Sequence, residues 1–519
     1  MGDKTKHIGG KRLLTRSQAL AAARKRMKDD YPGEKGFPFW DLIPMPEEYK
    51  SKGIFIMGEP GSGKTVYLQD LIAEAMKARV AKAVIHDFKM DLHPFLERHL
   101  NIQREDIKMM HPFDERCCGW DIQKDIEDED NAGGFASALI PDPPPQSDPF
   151  WTNKARDIAT AAVLFFFYKA EDKSSYHWQL RDLIDVFEDA DTLKEIINND
   201  RRLHFAKDAI NRDNNDVLGT VTAHSEQLKT IANIWAHPSK ELISLREWRT
   251  REKREILILG SDDKKGEACP TLNRLLWKQL YREVIAQDVP ALFDVWFFFD
   301  EFYWMSRLED IEAVATVARA RRANLVLATQ DINQVREVYG ESKLNILIQG
   351  CSTQVYFRCD GDAADWAAKQ IGKQKRLKQS SDQRVSGGTV SIGKGEQEAI
   401  ENVVMSEDIE QLRKCTSHRP MLDAIIKTFI DNPFHYPMEF ESFRHVWPSP
   451  KIDPDYRPEK RREVTKRRPL SDEERDALEI PRVREKEQPK KRRISIDLET
   501  GRDMRGGDDD LGLVIHKRP

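Results

Sequence analysis

Apolar positions follow two patterns along the chain. Short unbroken apolar runs, each followed by a helix-spaced segment, occupy residues 53–88 and return after residue 255, whereas between residues 148 and 239 apolar residues recur at three- and four-residue spacing. Unbroken runs of strand length suit strands buried on both faces, as in a parallel sheet covered by helices, while three-and-four spacing makes one apolar face of a helix. The pattern therefore predicts strands over 53–57, 82–88, 255–259, 295–300, 324–329 and 354–358, with a helix over 63–77 directly after the first. Helices predicted over 150–168, 178–188, 192–198 and 217–235 form a block longer than a crossover connection needs, hence an inserted all-α subdomain. Near the start, Ser17 is the expected N-cap of a short amphipathic helix reaching Lys28, with Ala19, Leu20 and Ala23 on one face.

The expected organisation is a basic N-terminal segment (1–36), a nucleotide-binding domain in two pieces (37–147 and 240–448), an all-α insertion (148–239) and a disordered charged tail (449–519). The tail is rich in Lys, Arg, Asp, Glu and Pro with few aromatics, a composition that buries too little apolar surface to fold alone. Over all 519 residues, 83 Lys and Arg stand against 88 Asp and Glu, a formal charge of -5, so global basicity does not announce a nucleic-acid partner. A local basic stripe can still serve one. Six cysteines without C-x-x-C pairing or zinc-like spacing fit free thiols in a reducing cytoplasm. The longest apolar run, Ile158 to Tyr168, falls short of the roughly 20 residues that span a bilayer, and the polar, basic start has no signal-peptide core, so a soluble protein is expected.

Chemistry concentrates at two strand ends. Gly58-Glu59-Pro60-Gly61-Ser62-Gly63-Lys64-Thr65, followed by Val66, matches G-x-x-x-x-G-K-S/T in full, between a predicted strand and a predicted helix. Glycines at this spacing let successive backbone N–H groups wrap a β-phosphate at a helix N-terminus, Lys64 reaches the β and γ oxygens, and the Thr65 hydroxyl ligates Mg²⁺. The second end is Val295-Trp296-Phe297-Phe298-Phe299-Asp300-Glu301, a bulky apolar strand closed by two carboxylates. Asp300 is expected to hold the magnesium water shell and Glu301 to orient or deprotonate the attacking water. This pairing favours hydrolysis of ATP over transfer to a small acceptor. Gln330, at the tip of the strand 324–329, is placed to report the γ-phosphate, and Arg319 is the preferred arginine finger of a ring. For the last two, an exposed strand-end amide and a helix-end charge cluster are the plain structural alternatives.

With these residues placed, the chain resembles the type IV coupling proteins, the TraG/TraD-type ATPases of conjugation and type IV secretion, relatives of the FtsK/HerA DNA pumps. The likeness runs from about Lys11 to Phe440 and rests on ordered segments: Gly10 to Leu14, Val84 to Lys89, His111 to Arg116 with Gly119 to Asp121, Leu245 to Trp248, Asp300 to Phe302, and Tyr339-Gly340. Phe88 and Met90 depart from the family's Asp-Pro-Lys-Gly-Glu. The resemblance implies a RecA-like motor that is DNA-dependent and hexameric, and that takes ATP and Mg²⁺. It also implies relaxase or accessory proteins met through the all-α domain and tail, and a secretion channel as destination. Most members begin with transmembrane helices. None is read here, so either a separate membrane subunit in trans, with a peripheral position at the inner membrane, or a soluble mobilisation apparatus is expected. A DNA pump or helicase without a secretion role, and a recruitment hub switched by ATP, remain open. Lys373 to Lys394 is a candidate basic contact with DNA, or else a solvated hairpin. Lys4 to Lys28 is another basic run usable on DNA or anionic lipid, with a solvated tail as the favoured reading. Trp151, Trp178 and Trp235 read as core anchors.

Overall fold

The computed structural model describes residues 6–78, 80–143, 147–211, 215–285, 293–386, 389–416, 421–439 and 453–459, together with Glu473 and Asp476. Its centre is a nine-stranded sheet. In chain order the strands are β1 (Ile54–Met57), β2 (Lys82–Asp87), β3 (Ile107–Met109), β4 (Glu255–Gly260), β5 (Val295–Phe299), β6 (Ala323–Thr329), β7 (Thr353–Phe357), β8 (Ala424–Lys427) and β9 (Phe434–His435), arranged β9-β8-β7-β1-β6-β5-β2-β4-β3. Strands β7 to β3 in that order are parallel, and β8 and β9 extend the sheet antiparallel.

The unbroken apolar runs are explained by the two faces. Phe297 and Phe299 enter the core shared with the helical insertion, while Trp296 and Phe298 enter the core beneath the N-terminal helix and the hairpin of Phe37–Trp40 with Ile43–Met45. Every residue of β5 is at most 1% exposed. Burying each Phe contributes about 1.5–3 kcal/mol, so the strand is anchored well before its acidic end is reached. Parallel register puts Phe299 opposite His86 on one side and Leu327 on the other, and Met57 opposite Thr329. The ends of β1, β6, β5 and β2 therefore lie on one edge, where ligands of open α/β sheets bind.

The insertion is helical as expected, with its long helix at Phe150–Asp172. Its final expected helix is two, Asn215–Glu226 and Lys229–Trp235. Its long helix packs on Glu129–Leu139, which in turn packs on Ala268–Ile285, so the helical body begins before residue 148 and shares one apolar core with the sheet. Asp125 ties its two connections together, accepting hydrogen bonds from Trp120 Nε1 at 2.6 Å, Ser244 Oγ at 2.6 Å and the Leu245 N–H at 2.8 Å.

Several local expectations are corrected. The first helix spans Arg16–Asp30 and is capped by Thr15, whose N–H donates to Gln18 Oε1 at 3.1 Å, so Ser17 is not the cap. The basic N-terminal run is built into the fold: Lys6–Gly10 pairs with Lys373–Ser386, which itself pairs with Thr389–Asn402 as a long hairpin. Trp178 and Trp235 are buried, but Trp151 is 44% exposed beside exposed Phe150 and anchors no core. Within the expected tail, residues 453–459 are bonded to the domain: Asp453 pairs with Arg116 at 2.8 Å and Glu459 with Lys240 at 3.0 Å. The remainder of 449–519, apart from Glu473 and Asp476, lies outside the described residues.

Candidate nucleotide site

The loop 58–63 hangs between neighbouring strand ends. Gly58 N–H donates to the Thr329 carbonyl at 3.2 Å and Glu59 N–H to the Arg358 carbonyl at 2.8 Å. Gly61 and Gly63 sit at φ 80° and 108°, where a side chain is strained, and a Cβ on Gly63 would lie 2.3 Å from Leu422 Cδ2. The helix Lys64–Ala75 starts directly after them without a side-chain cap. The N–H groups of its first turn lack intrahelical acceptors, which makes the loop a ready anion cradle.

Lys64, Asp300 and Glu301 meet at the mouth of this cradle, each no more than 4% exposed. Lys64 Nζ lies 3.5 Å from Asp300 Oδ1 and closer still to Glu301 Oε1. Burial acts to lower the Lys64 pKa, but the two carboxylates outweigh it and the ammonium is held charged. For Asp300 burial is likewise opposed, first by Lys64 and then by Lys89, and its pKa falls. Glu301 moves up, driven by burial and, against Lys64, by the charge of Asp300. Glu301 also holds φ 49°, an uncommon conformation for a residue with a side chain, and its Oε2 accepts the Gln330 N–H at 3.0 Å. Behind Asp300, buried His86 bridges the Asp300 carbonyl and Ser261 Oγ, both at 2.8 Å. Burial lowers its pKa to about 4, so it stays neutral.

A cavity of about 140 Å³ opens beside Lys64, lined by loop residues 59–61 and 63, Thr65, Val66 and Gln330. An uncapped helix start, a buried ammonium, a hydroxyl and a carboxylate held ionised form a donor set that suits a triphosphate with Mg²⁺. Gly58 to Val66, Asp300, Glu301 and Gln330 are thus brought together as the sequence suggests. The Gln330 amide donates to Tyr303 Oη at 3.3 Å. Arg319 is not brought to this site. Its turn, Ala318–Arg321, leads into the start of β6, at the opposite edge of the sheet, and its side chain lies outside the described residues.

Sequence reading missed the rim. Glu59 is held by Arg358 at 2.8 Å and Lys414 at 2.7 Å, and Cys415 N–H donates to the Gly61 carbonyl at 3.0 Å. Residues 414 and 415 lie 350 positions or more from the loop, so only the antiparallel extension through β8 brings them back, and no local signal announces it. Lys89, also on the cavity wall, had a signal: it stands two residues beyond a strand parallel to β5.

Together these features define a P-loop nucleotide-binding protein with a RecA-like parallel sheet. The family model described as the type IV secretion-system coupling protein DNA-binding domain matches residues 40–431, and the chain belongs to that family. It is 23% identical to the coupling protein TraD of Escherichia coli (strain K12) over 459 residues, 87% of this chain, and spans 60% of the length of TraD. It is 21% identical over 187 residues to the protein VirD4 of Rhizobium rhizogenes, covering 33% of this chain and 28% of VirD4. Among solved structures, the unbound bacterial conjugative coupling protein TrwB superposes with a TM-score of 0.66 at 17% identity, over 86% of this chain and 96% of that one. The plasmid coupling protein TrwB in complex with ADP and Mg²⁺ gives 0.65 at 17% identity, over 86% and 98%. Among the described residues no helix is long and apolar enough to cross a membrane.

Proposed function

We propose that this chain is a magnesium-dependent ATPase that uses hydrolysis to recruit DNA, or DNA carrying a relaxase, and move it towards a type IV secretion channel. The observation that carries the reading is Lys64 held between Asp300 and Glu301 beside an uncapped helix start. Those three charges are partners only until a triphosphate arrives.

On binding ATP, the N–H groups of 61–65 take the β-phosphate and Lys64 turns from Glu301 to the β and γ oxygens. The Thr65 hydroxyl and, through water, Asp300 would hold Mg²⁺, which would supply charge neutralisation at the phosphates. Release of Lys64 leaves Glu301 with a raised pKa and one N–H from Gln330, free to take a proton from the attacking water. The Gln330 backbone bonds Glu301 while its amide bonds Tyr303, so this strand end links the base to the turn after β5. Arg319, remote from its own site, is assigned to a neighbour's site in a ring of six identical subunits. The all-α domain and tail are assigned to relaxase and accessory proteins, and a membrane subunit in trans to docking at the inner membrane.

The test is ATP hydrolysis by the purified chain with and without DNA at low salt, where phosphate contacts are strongest. Stimulation by DNA that vanishes in Lys64→Ala is the expected result. A wild type that binds no adenine nucleotide overturns the reading.

A further inference from the structure

Lys64 is not the only ammonium at Asp300. The loop after β2 places Lys89 Nζ 3.9 Å from Asp300 Oδ2, the oxygen opposite the one that faces Lys64. This loop is held at three points. Asp87 accepts the backbone N–H groups of Asp91 at 3.2 Å, Leu92 at 2.9 Å and His93 at 3.4 Å. The Phe88 ring stacks on Trp304 with centroids 4.7 Å apart, fixing the loop to the turn after Glu301. Met90, at φ 58°, turns the chain back. Between these anchors Lys89 stays 43% exposed at its side chain and lines the cavity that holds Lys64 and Gln330.

Sheet order gives the direction. From the phosphate loop after β1, the successive strand ends are β6 with Gln330, β5 with Asp300, then β2 with Lys89. Strands lie about 4.8 Å apart, so Lys89 approaches from roughly three spacings beyond the cradle and reaches back towards it with a long side chain. A β-phosphate wrapped by the loop is Lys64's partner. The phosphate that projects past it, towards Asp300, is the one Lys89 can meet.

We propose that Lys89 is a second phosphate-binding cation of this site, contacting the γ-phosphate and so distinguishing a nucleoside triphosphate from a diphosphate. The proposal rests on the nucleotide reading above and goes beyond it by giving a residue outside the P-loop and the acidic strand a ligand of its own. Asp300 holds the Lys89 ammonium near the cavity. With a triphosphate bound, Asp300 would serve the metal, and Lys89 transfers from that carboxylate to the γ oxygens.

The test is equilibrium binding of ADP and of the non-hydrolysable analogue AMPPNP, each with Mg²⁺, to the full chain and to Lys89→Gln, Lys89→Arg and Lys64→Ala. A charge-assisted contact to one phosphate predicts that Lys89→Gln loses about 10- to 100-fold in AMPPNP affinity with ADP affinity within about twofold, and that Lys89→Arg restores most of the difference. Equal losses for both nucleotides, or no loss, overturn the proposal while Lys64→Ala still abolishes binding. If Lys64→Ala also binds both nucleotides normally, the site reading itself fails and the proposal goes with it.

Discussion

Buried lysines face carboxylates at both ends of the central strands. At the starting edge Lys82, on β2, bonds Glu255, on β4, at 2.9 Å, with both side chains no more than 2% exposed. The rings of Trp248 and Phe293 lie 5.5 Å from its ammonium. At the finishing edge Lys64 faces two carboxylates, with an open cavity and a second ammonium at hand. Burial lowers the Lys82 pKa against the pull of Glu255, whereas at Lys64 two carboxylates overcome burial and raise it. One cluster is matched and sealed, which locks strand positions. The other is matched only among groups that a ligand can re-pair. A buried ion pair alone therefore does not mark a site. The uncapped helix start, the cavity and the strained Glu301 beside it do.

The largest expected effect separates the two ends by chemistry. Glu301→Gln keeps the shape and removes the base, so kcat for ATP should fall about 10²–10⁴-fold with AMPPNP affinity little changed. Steady-state kinetics with parallel binding check it, and a loss confined to binding counts against Glu301 as base. Next, Lys82→Met leaves buried Glu255 with only the half-exposed Arg251, at 3.3 Å, as counter-ion and should destabilise the fold by about 3 kcal/mol, whereas Lys82→Met with Glu255→Leu should come back near wild type. Denaturant unfolding of the three chains decides it, and catalysis by the folded double variant should be unaffected. A smaller change is expected at Gln330→Ala, about 2- to 10-fold in kcat, since one side-chain hydrogen bond to Tyr303 goes and the backbone bond to Glu301 stays.

A further effect, read in its pH dependence, concerns Asp70, on the helix between the two ends, whose carboxyl is pushed up to about 7 by burial, with Glu74 adding to it. The folded chain keeps a proton that the unfolded chain releases near pH 4, so this group's contribution to stability declines as pH rises from about 4 to 7 and is level beyond. Thermal unfolding of Asp70→Asn should match wild type near pH 4 and exceed it increasingly up to pH 7. A constant gap contradicts the assignment.

Much of the site was readable from the chain because its parts are local. The phosphate loop needs eight consecutive residues, and an apolar strand ending in Asp300-Glu301 needs seven, so both are written in contiguous sequence. The unbroken apolar runs likewise determined strands buried on both faces and so a covered, largely parallel sheet. Three-and-four spacing also marked the helices from Phe150 onwards, but not the start of the helical body at Glu129. Tertiary structure alone decided which strand ends became neighbours. It set Lys89 beside Asp300, returned Arg358, Lys414 and Cys415 to the phosphate loop, drew Lys6–Gly10 into a sheet with Lys373–Ser386, brought 453–459 onto the domain, and left Trp151 exposed while its two counterparts were buried. The physical reason is separation along the chain. Propensity and periodicity act over one or two turns, whereas these contacts join residues whose proximity is created only when the sheet closes in its particular strand order.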